Sequence, residues 1–471
     1  MVNYFKSSDK AKKQVINQPV TVTIDKLDMN GDGVARWNNK PLFVSGVLPN
    51  EIVDVKIIEQ RNKYTRAKLL HINTQSNNRI DPQCPHFINC GGCDLQMLDS
   101  TKQLDFKKQK VTELFSRYSH TTPYKEQSSR LVLPWQLPLN STSWHYRRKA
   151  RIGVQFNKKG QATIGFRQKS TNQLIAIKSC AVLVKPFNNI FSILDSILVK
   201  LTVKSAIGHI EVIEAEVVDK TEQLKVPKEQ ALVLIVRQLK AMSAADKTLW
   251  LSYAEKYNWY LLIDDGHQQQ PLLKTNTTKK SVFSYTLNDD NIIYFSAGDF
   301  IQINHPVNKS MVDQALAWLE VLPTDHILDL FCGLGNFSLS LARHCTSVVG
   351  VEGVQVMVEK ATSNAKKNGI QNCQFFQADL NSSWKLKPWA NTMVFDKVLL
   401  DPARAGAEQA VNQIIALNIP IILYVSCDPA TLARDSILLL SEGYKVDKIS
   451  LMDMFPQTKH VETMVLFSRS N

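Results

Sequence analysis

One stretch in the C-terminal third limits the folds open to this chain. Ile327-Leu328-Asp329-Leu330 is a short apolar run, Phe331-Cys332-Gly333-Leu334-Gly335 is a glycine turn, and Asn336-Phe337-Ser338 opens a helical pattern (Leu339, Leu341, Ala342). A buried strand that feeds a helix through glycines starts an α/β sheet, and the glycines let a ligand approach the backbone and the helix N-terminus. The same rhythm recurs downstream. Ser347–Val351 ends in Glu352, Gln374–Phe376 is followed by Asp379, Val398–Leu400 by Asp401, and Ile421–Val425 by Ser426-Cys427-Asp428-Pro429. Strands alternating with helices predict a doubly wound α/β sheet, which binds its ligand at the carboxyl ends of the strands. Glu352, placed there, suits ribose hydroxyls.

The turn reads D-x-F-x-G-x-G, not G-x-G-x-x-G. It therefore resembles the class I S-adenosyl-L-methionine-dependent methyltransferase fold more than a dinucleotide dehydrogenase. Thr463–Phe467 is then the antiparallel strand that closes such a sheet. Cys427 falls where a strand meets a helix N-terminus, with Asp428 as N-cap and Pro429 in the first turn. A helix N-terminus stabilises a thiolate, so Cys427 is expected to be reactive; the bland alternative is a small buried hydrophobe.

Length and charge bound the rest. The 471 residues suffice for two or three domains, and no apolar run is long enough to span a membrane. The lysine-rich start lacks the apolar segment of a signal peptide, and eight cysteines without one suggest a reducing, cytoplasmic setting with thiols free or on metal. From Phe300 onward there are 14 Lys+Arg against 16 Asp+Glu, so within a net +13 the first 299 residues carry +15. A basic front on a near-neutral C-terminal part fits a polyanionic partner, though it also fits a merely soluble surface.

Residues 1–16 read as a basic arm. Alternating Val20, Val22, Ile24, then Leu42-Phe43-Val44 and Ile52–Ile58, separated by glycine, asparagine and proline turns, predict a small β-barrel, with Lys56, Arg61, Lys63, Arg66 and Lys68 making one end basic. Three cysteines follow in C-P-H-F-I-N-C-G-G-C (Cys84, Cys90, Cys93), with Cys180 the nearest candidate fourth. Four thiols suit a [4Fe–4S] cluster, with zinc as runner-up. Residues 99–118 have helical spacing, and Lys107, Lys108, Lys110 and Arg117 read as a solvated face. Trp144-His145-Tyr146-Arg147-Arg148-Lys149-Ala150-Arg151 interleaves aromatics and cations as single-stranded RNA requires, or is a strand with a few packed rings. Residues 181–290 read as mixed α/β without chemistry. The expected domains are 1–75, arm and barrel; 76–290, a central α+β domain with the cysteine segment, its helix near 99–119 packing on the catalytic domain; and 291–471, the catalytic domain.

Together F-I-Q-I-N (Phe300–Asn304), D-L-F-C-G-L-G-N-F, L-L-D-P-A-R-A-G (Leu399–Gly406), S-C-D-P and H-V-E-T (His460–Thr463) resemble the RNA uracil-5-methyltransferases, over nearly the whole chain. The barrel resembles the OB-like TRAM domain, and the cysteine segment that of the family's ribosomal members. The resemblance implies transfer of a methyl group from S-adenosyl-L-methionine to C5 of a uridine in 23S ribosomal RNA, by a monomer with no membrane partner. It implies Cys427 as nucleophile and Glu462 as base, with His460 as a chemical rival. By the same resemblance, Gln302, Phe331, Asn336, Glu352, Asp379 and Asp401 line the cofactor site and Cys84, Cys90, Cys93 and Cys180 hold [4Fe–4S]. A transfer-RNA substrate and a non-catalytic RNA-binding or assembly role remain the alternatives.

Overall fold

The computed structural model describes residues 18–119, 132–169, 171–218, 229–272, 282–391 and 393–469. The arm expected at residues 1–16 lies outside them. The chain divides into two compact units, one running to Ile88 and including Gly92–Phe106 and Gln457–Lys459, the other comprising the rest.

In the first unit, β1 (Val20–Thr23), β2 (Lys26–Leu27), β3 (Gly33–Trp37), β4 (Lys40–Val44), β5 (Ile52–Gln60) and β6 (Thr65–Thr74) form a sheet in the order β1-β5-β6-β4-β3-β2. Because β1 and β2 are separated only by Ile24 and Asp25, the two ends of that order are one stretch of chain, and the sheet closes into the expected barrel. Alternate residues point inward, so Val22, Ile24, Ala35, Leu42, Val44, Val53, Val55 and Ile57 make its core. Arg61, Lys63, Arg66 and Lys68 are exposed around the β5–β6 connection, where the Arg66 guanidinium lies 5.6 Å from the Tyr64 ring centroid. Fully buried Glu51 accepts from the Leu48 amide at 2.8 Å and from Arg79 Nη2 at 2.8 Å, tying the chain after the barrel to its rim.

The second unit contains two sheets. The central sheet comprises β7 (Lys149–Phe156), β8 (Ala162–Arg167), β9 (Leu174–Ala176), β10 (Ile207–Val218), β11 (Glu229–Gln238), β12 (Trp259–Asp264), β13 (Gln269–Pro271), β14 (Val282–Thr286) and β15 (Ile292–Phe295), with α2 (Ile190–Leu198) and α3 (Ala244–Lys256) on one face; α1 (Ser100–Ser119) precedes them. The two-residue period of β10 divides its side chains between two cores. Ile210 and Val212 pack with Leu194, Ile197 and Trp250 of the helices, whereas Ile213 and Ala215 belong to the core of the catalytic sheet.

That catalytic sheet is β16 (His326–Leu330), β17 (Ser347–Glu352), β18 (Cys373–Gln377), β19 (Lys397–Leu400), β20 (Ile421–Ser426), β21 (Lys445–Met452) and β22 (Glu462–Ser468), in the order β18-β17-β16-β19-β20-β22-β21. The first five run parallel, and β22 lies antiparallel to both β20 and β21. The helices are α4 (His305–Leu319), α5 (Ser338–Ala342), α6 (Gln355–Lys367), α7 (Pro388–Asn391), α8 (Glu408–Ala416) and α9 (Pro429–Ser441). Strand residues are buried almost without alternation, as a sheet covered on both faces requires. Chain order reverses between β16 and β19, which opens the ligand crevice beside the glycine turn.

Two sequence expectations change here. Arg148 and Tyr146 are buried, Arg148 donating to the Gln302 carbonyl and Tyr146 to the Pro456 carbonyl, so these two of the aromatic–arginine stretch are built into the core. Arg151 is exposed and paired with Glu211. Lys107, expected on a solvated face, is 2% exposed.

Removing Arg79 leaves Glu51 as an uncompensated buried charge. Arg79→Met is therefore expected to destabilise the barrel by about 3–5 kcal/mol. Hydrogen exchange should show faster exchange of the β5 and β6 amides, with the catalytic sheet unchanged.

Candidate active site at the sheet edge

Six sheet positions bring the expected site residues to one edge. Phe331 follows β16, Glu352 ends β17, Asp379 stands two residues beyond β18, Asp401 follows β19, Cys427 follows β20, and Glu462 begins β22. The register makes the last pairing tight. Ser426 and Thr463 are cross-strand partners, so Cys427 and Glu462 occupy the next step at the same edge.

The glycine turn is held open by unusual backbone. Phe331, Gly333 and Gly335 have φ of 62°, 54° and 89°, the left-handed region that an L-residue such as Phe331 enters at a cost of about 1–2 kcal/mol. The Phe331 and Cys332 amides both donate to the Val351 carbonyl, at 2.9 and 3.2 Å, which fixes the turn against β17. A Cβ on Gly335 would lie 2.4 Å from Leu339 Cδ1, whereas one on Gly333 would meet nothing within 4 Å, so the space beside Gly333 is open. Glu352 is oriented by the Gly333 and Val354 amides, at 3.2 and 3.1 Å. Asp379 is exposed and accepts from the Asn381 amide. Asn336 does not cap α5. Its amide makes a reciprocal pair with Asn308 at 3.0 and 3.1 Å and accepts from the Tyr285 hydroxyl at 2.9 Å, tying the turn to α4 and β14. Gln302, half-buried, lies just before α4, its carbonyl accepting from Arg148 at 2.8 Å.

Electrostatics set the protonation of the edge. Burial raises the Asp401 carboxyl to about 7. Glu462 is pushed up to about 8, first by burial and then by Asp401, while Lys107 pulls it down. Cys427 is pushed up to about 11 by burial first, then by Glu462 and Asp401, with Arg404 opposing. The helix N-terminus favours a thiolate at Cys427, and burial with the two carboxylates opposes it. Asp428 caps α9 as expected, accepting from the Ala430 and Thr431 amides at 2.9 and 3.1 Å. Burial and two carboxylates then outweigh the helix. His460 is exposed, its ring 5.5 Å from that of Phe455.

Sequence reasoning missed two cations, Arg404 facing Cys427 and Lys107 facing Glu462. Arg404 was within reach, since it stands in the same short motif as Asp401. Lys107 was not, because its partners are some 350 positions away.

The cysteine segment has local order within each unit. The Cys84 amide donates to Gln96 Oε1 at 3.2 Å. In the second unit Cys90 bridges to Gln168, and the Gly91 amide donates to the Arg167 carbonyl so closely that a Cβ there would stand 3.0 Å from that oxygen. None of the eight cysteines is in a disulfide. Among the described residues no group of three or more His, Cys, Asp or Glu is placed to hold a metal ion, and no described helix is long and apolar enough to cross a membrane.

A seven-stranded sheet with one antiparallel strand, a glycine turn after its first strand and an acid after its second defines the class I methyltransferase architecture. The same fold occurs in the tRNA (uracil-54, C5)-methyltransferase of Pyrococcus abyssi, which matches 95% of this chain and 100% of its own with a TM-score of 0.70 and 21% identity. Within that class the relationship is specific. Residues 100–470 match the family described as tRNA (Uracil-5-)-methyltransferase and residues 13–70 match the TRAM domain. The 23S rRNA (uracil(1939)-C(5))-methyltransferase RlmD of Colwellia psychrerythraea is 62% identical over 471 residues, 100% of both chains. That of Shewanella sediminis is 39% identical over 468 residues, 99% of both. The chain belongs to the S-adenosyl-L-methionine-dependent uracil-5-methyltransferase family.

Since Cys427 is a thiol at neutral pH, its alkylation by iodoacetamide should rise about tenfold per pH unit from pH 7 toward 10. Removing the Glu462 charge lowers the sulfur's proton affinity, so Glu462→Gln should alkylate several-fold faster at pH 8.5. Peptide mass spectrometry reads both, and equal rates would contradict the electrostatic coupling.

Proposed function

We propose that this protein transfers a methyl group from S-adenosyl-L-methionine to C5 of a uridine in 23S ribosomal RNA, the uracil that the names of its full-length relatives number 1939. The placement of Cys427 and Glu462 on the same step of one sheet edge, just beyond the Ser426–Thr463 pair, carries the chemical reading. Uracil C5 is too weak a nucleophile to take a methyl unaided. The Cys427 thiol loses its proton to water, the sulfur bonds to C6, and the C5–C6 π pair moves into an enolate with charge on C5. S-adenosyl-L-methionine supplies an activated methyl on a sulfonium. C5 then takes that methyl, the methyl–sulfonium bond breaking to leave S-adenosyl-L-homocysteine, and C5 still carries its proton. The Glu462 carboxylate removes the proton, the C–H pair re-forms the double bond, and the C6–sulfur bond breaks to release Cys427. With its carboxyl pushed up to about 8 by burial and then by Asp401, Glu462 is basic enough for that step.

Around the crevice, Phe331, Asn336 and Glu352 form and support the cofactor face of the glycine turn, with Gln302, Asp379 and Asp401 completing it. The half-buried carboxyl of Asp401 is suited to offset a cation or accept from the uracil ring. The target must leave its stack to expose C6, at a few kcal/mol. The basic β5–β6 end of the barrel is suited to bind RNA and offset that cost. We place the protein in the cytoplasm, as a monomer.

Cys84, Cys90, Cys93 and Cys180 would hold a [4Fe–4S] cluster. The donor set fits such a cluster, since four thiols without another ligand are what it takes. No step of methyl transfer needs it. Anaerobically purified protein should contain about four iron atoms per chain. Cys84→Ser should lose them, and a metal-free protein would reject the assignment.

Cys427→Ala should abolish 5-methyluridine formation, whereas Glu462→Gln should form a covalent RNA–protein adduct that resolves slowly. Supplying 23S ribosomal RNA and transfer RNA separately, with labelled cofactor, distinguishes the two substrates. Label in transfer RNA alone, or persistence of activity in Cys427→Ala, would refute the proposal.

A further inference from the structure

We propose that Lys107 is a positioning residue for Glu462, clamping the loop that delivers this carboxylate and lending it the positive charge it needs as a base. The inference rests on the reading of Glu462 as the group that takes the C5 proton. Lys107 belongs to α1, far in sequence from the catalytic sheet. Its Nζ nevertheless donates to Asp453 Oδ1 at 2.7 Å and to the Phe455 carbonyl at 3.1 Å. Asp453 directly follows Met452, the cross-strand partner of Glu462. The ion pair therefore grips the β21–β22 connection one residue from the step that holds the base.

Other contacts fix the same loop. The Asp453 amide donates to the Leu139 carbonyl at 2.7 Å, and Tyr146 Oη donates to the Pro456 carbonyl at 2.9 Å. Packing is thus already provided, and an apolar side chain at 107 could fill the space. Burying an ammonium and a carboxylate there is no gain in stability over such a side chain, because their desolvation offsets their attraction. What the ion pair adds is charge. The groups facing Glu462 are Asp401 beyond β19, Cys427 beyond β20 and Lys107 from α1, with Asp453 as the lysine's counter-ion and Arg404 facing Cys427. Asp401 opposes ionisation of Glu462 and Lys107 favours it.

The readout is the pH dependence of the rate at which the methylated RNA–protein adduct resolves, measured in single turnover with full-length protein. Lys107→Met should move the rising limb about one pH unit upward and accumulate adduct at neutral pH. Lys107→Arg should restore the wild-type limb. Asp453→Asn keeps the ammonium but removes its counter-ion, so its limb should move downward. A purely structural clamp would slow all three variants without displacing the limb, and that result would overturn the proposal. Failure of the underlying reading looks different: Glu462→Gln would then resolve adduct at the wild-type rate.

Discussion

Burial of three acids on one sheet edge, with the repulsion among them second, governs this protein's chemistry. Asp401, Cys427 and Glu462 end or begin three neighbouring strands, and each negative charge raises the cost of the next. The resting edge therefore holds its protons: the sulfur stays a thiol, and the base lies close to neutrality. Such an edge avoids indiscriminate alkylation of its nucleophile. It also couples the two halves of the reaction, since any cation brought beside these carboxylates eases ionisation of the sulfur.

Scaffold and site depend on each other through the core. The β10 side chains that face the catalytic sheet, Ile213 and Ala215, join a cluster with Met311, Leu339, Leu399 and Leu423, residues of α4, α5, β19 and β20. Tyr285 of β14 reaches Asn336 in the glycine turn, and Arg148 at the head of β7 lies 4.5 Å from the Tyr285 ring centroid. The central sheet thus braces the cofactor turn directly. The described residues between 181 and 290, which carry no legible motif, support the site through such contacts.

Much of the catalytic half was legible because parallel strands announce themselves. Ile421–Val425 and Val398–Leu400 are apolar runs that stop abruptly at polar residues, and the stops are the site. Strand β21 escaped notice, since Lys445-Val446-Asp447-Lys448 masks its buried end at Ile449–Met452. Local sequence also misjudged ionisation. The S-C-D-P motif predicts the helix N-terminus beside Cys427 and its Asp428 cap, but not that Glu462 stands alongside. The alternation of aromatics and arginines at 144–151 looked like an RNA surface because burial depends on partners, Gln302 and Pro456, that no local pattern reveals.

The central claim is that one sulfur bonds to the pyrimidine during catalysis. RNA carrying 5-fluorouridine at the target tests it most directly, because fluorine in place of the C5 proton cannot be removed by a base after methyl transfer. Peptide mapping of the resulting complex should find the methylated fluorouridine attached to Cys427, with one equivalent of cofactor consumed. Attachment to another cysteine, or methyl transfer without any adduct, would contradict the account.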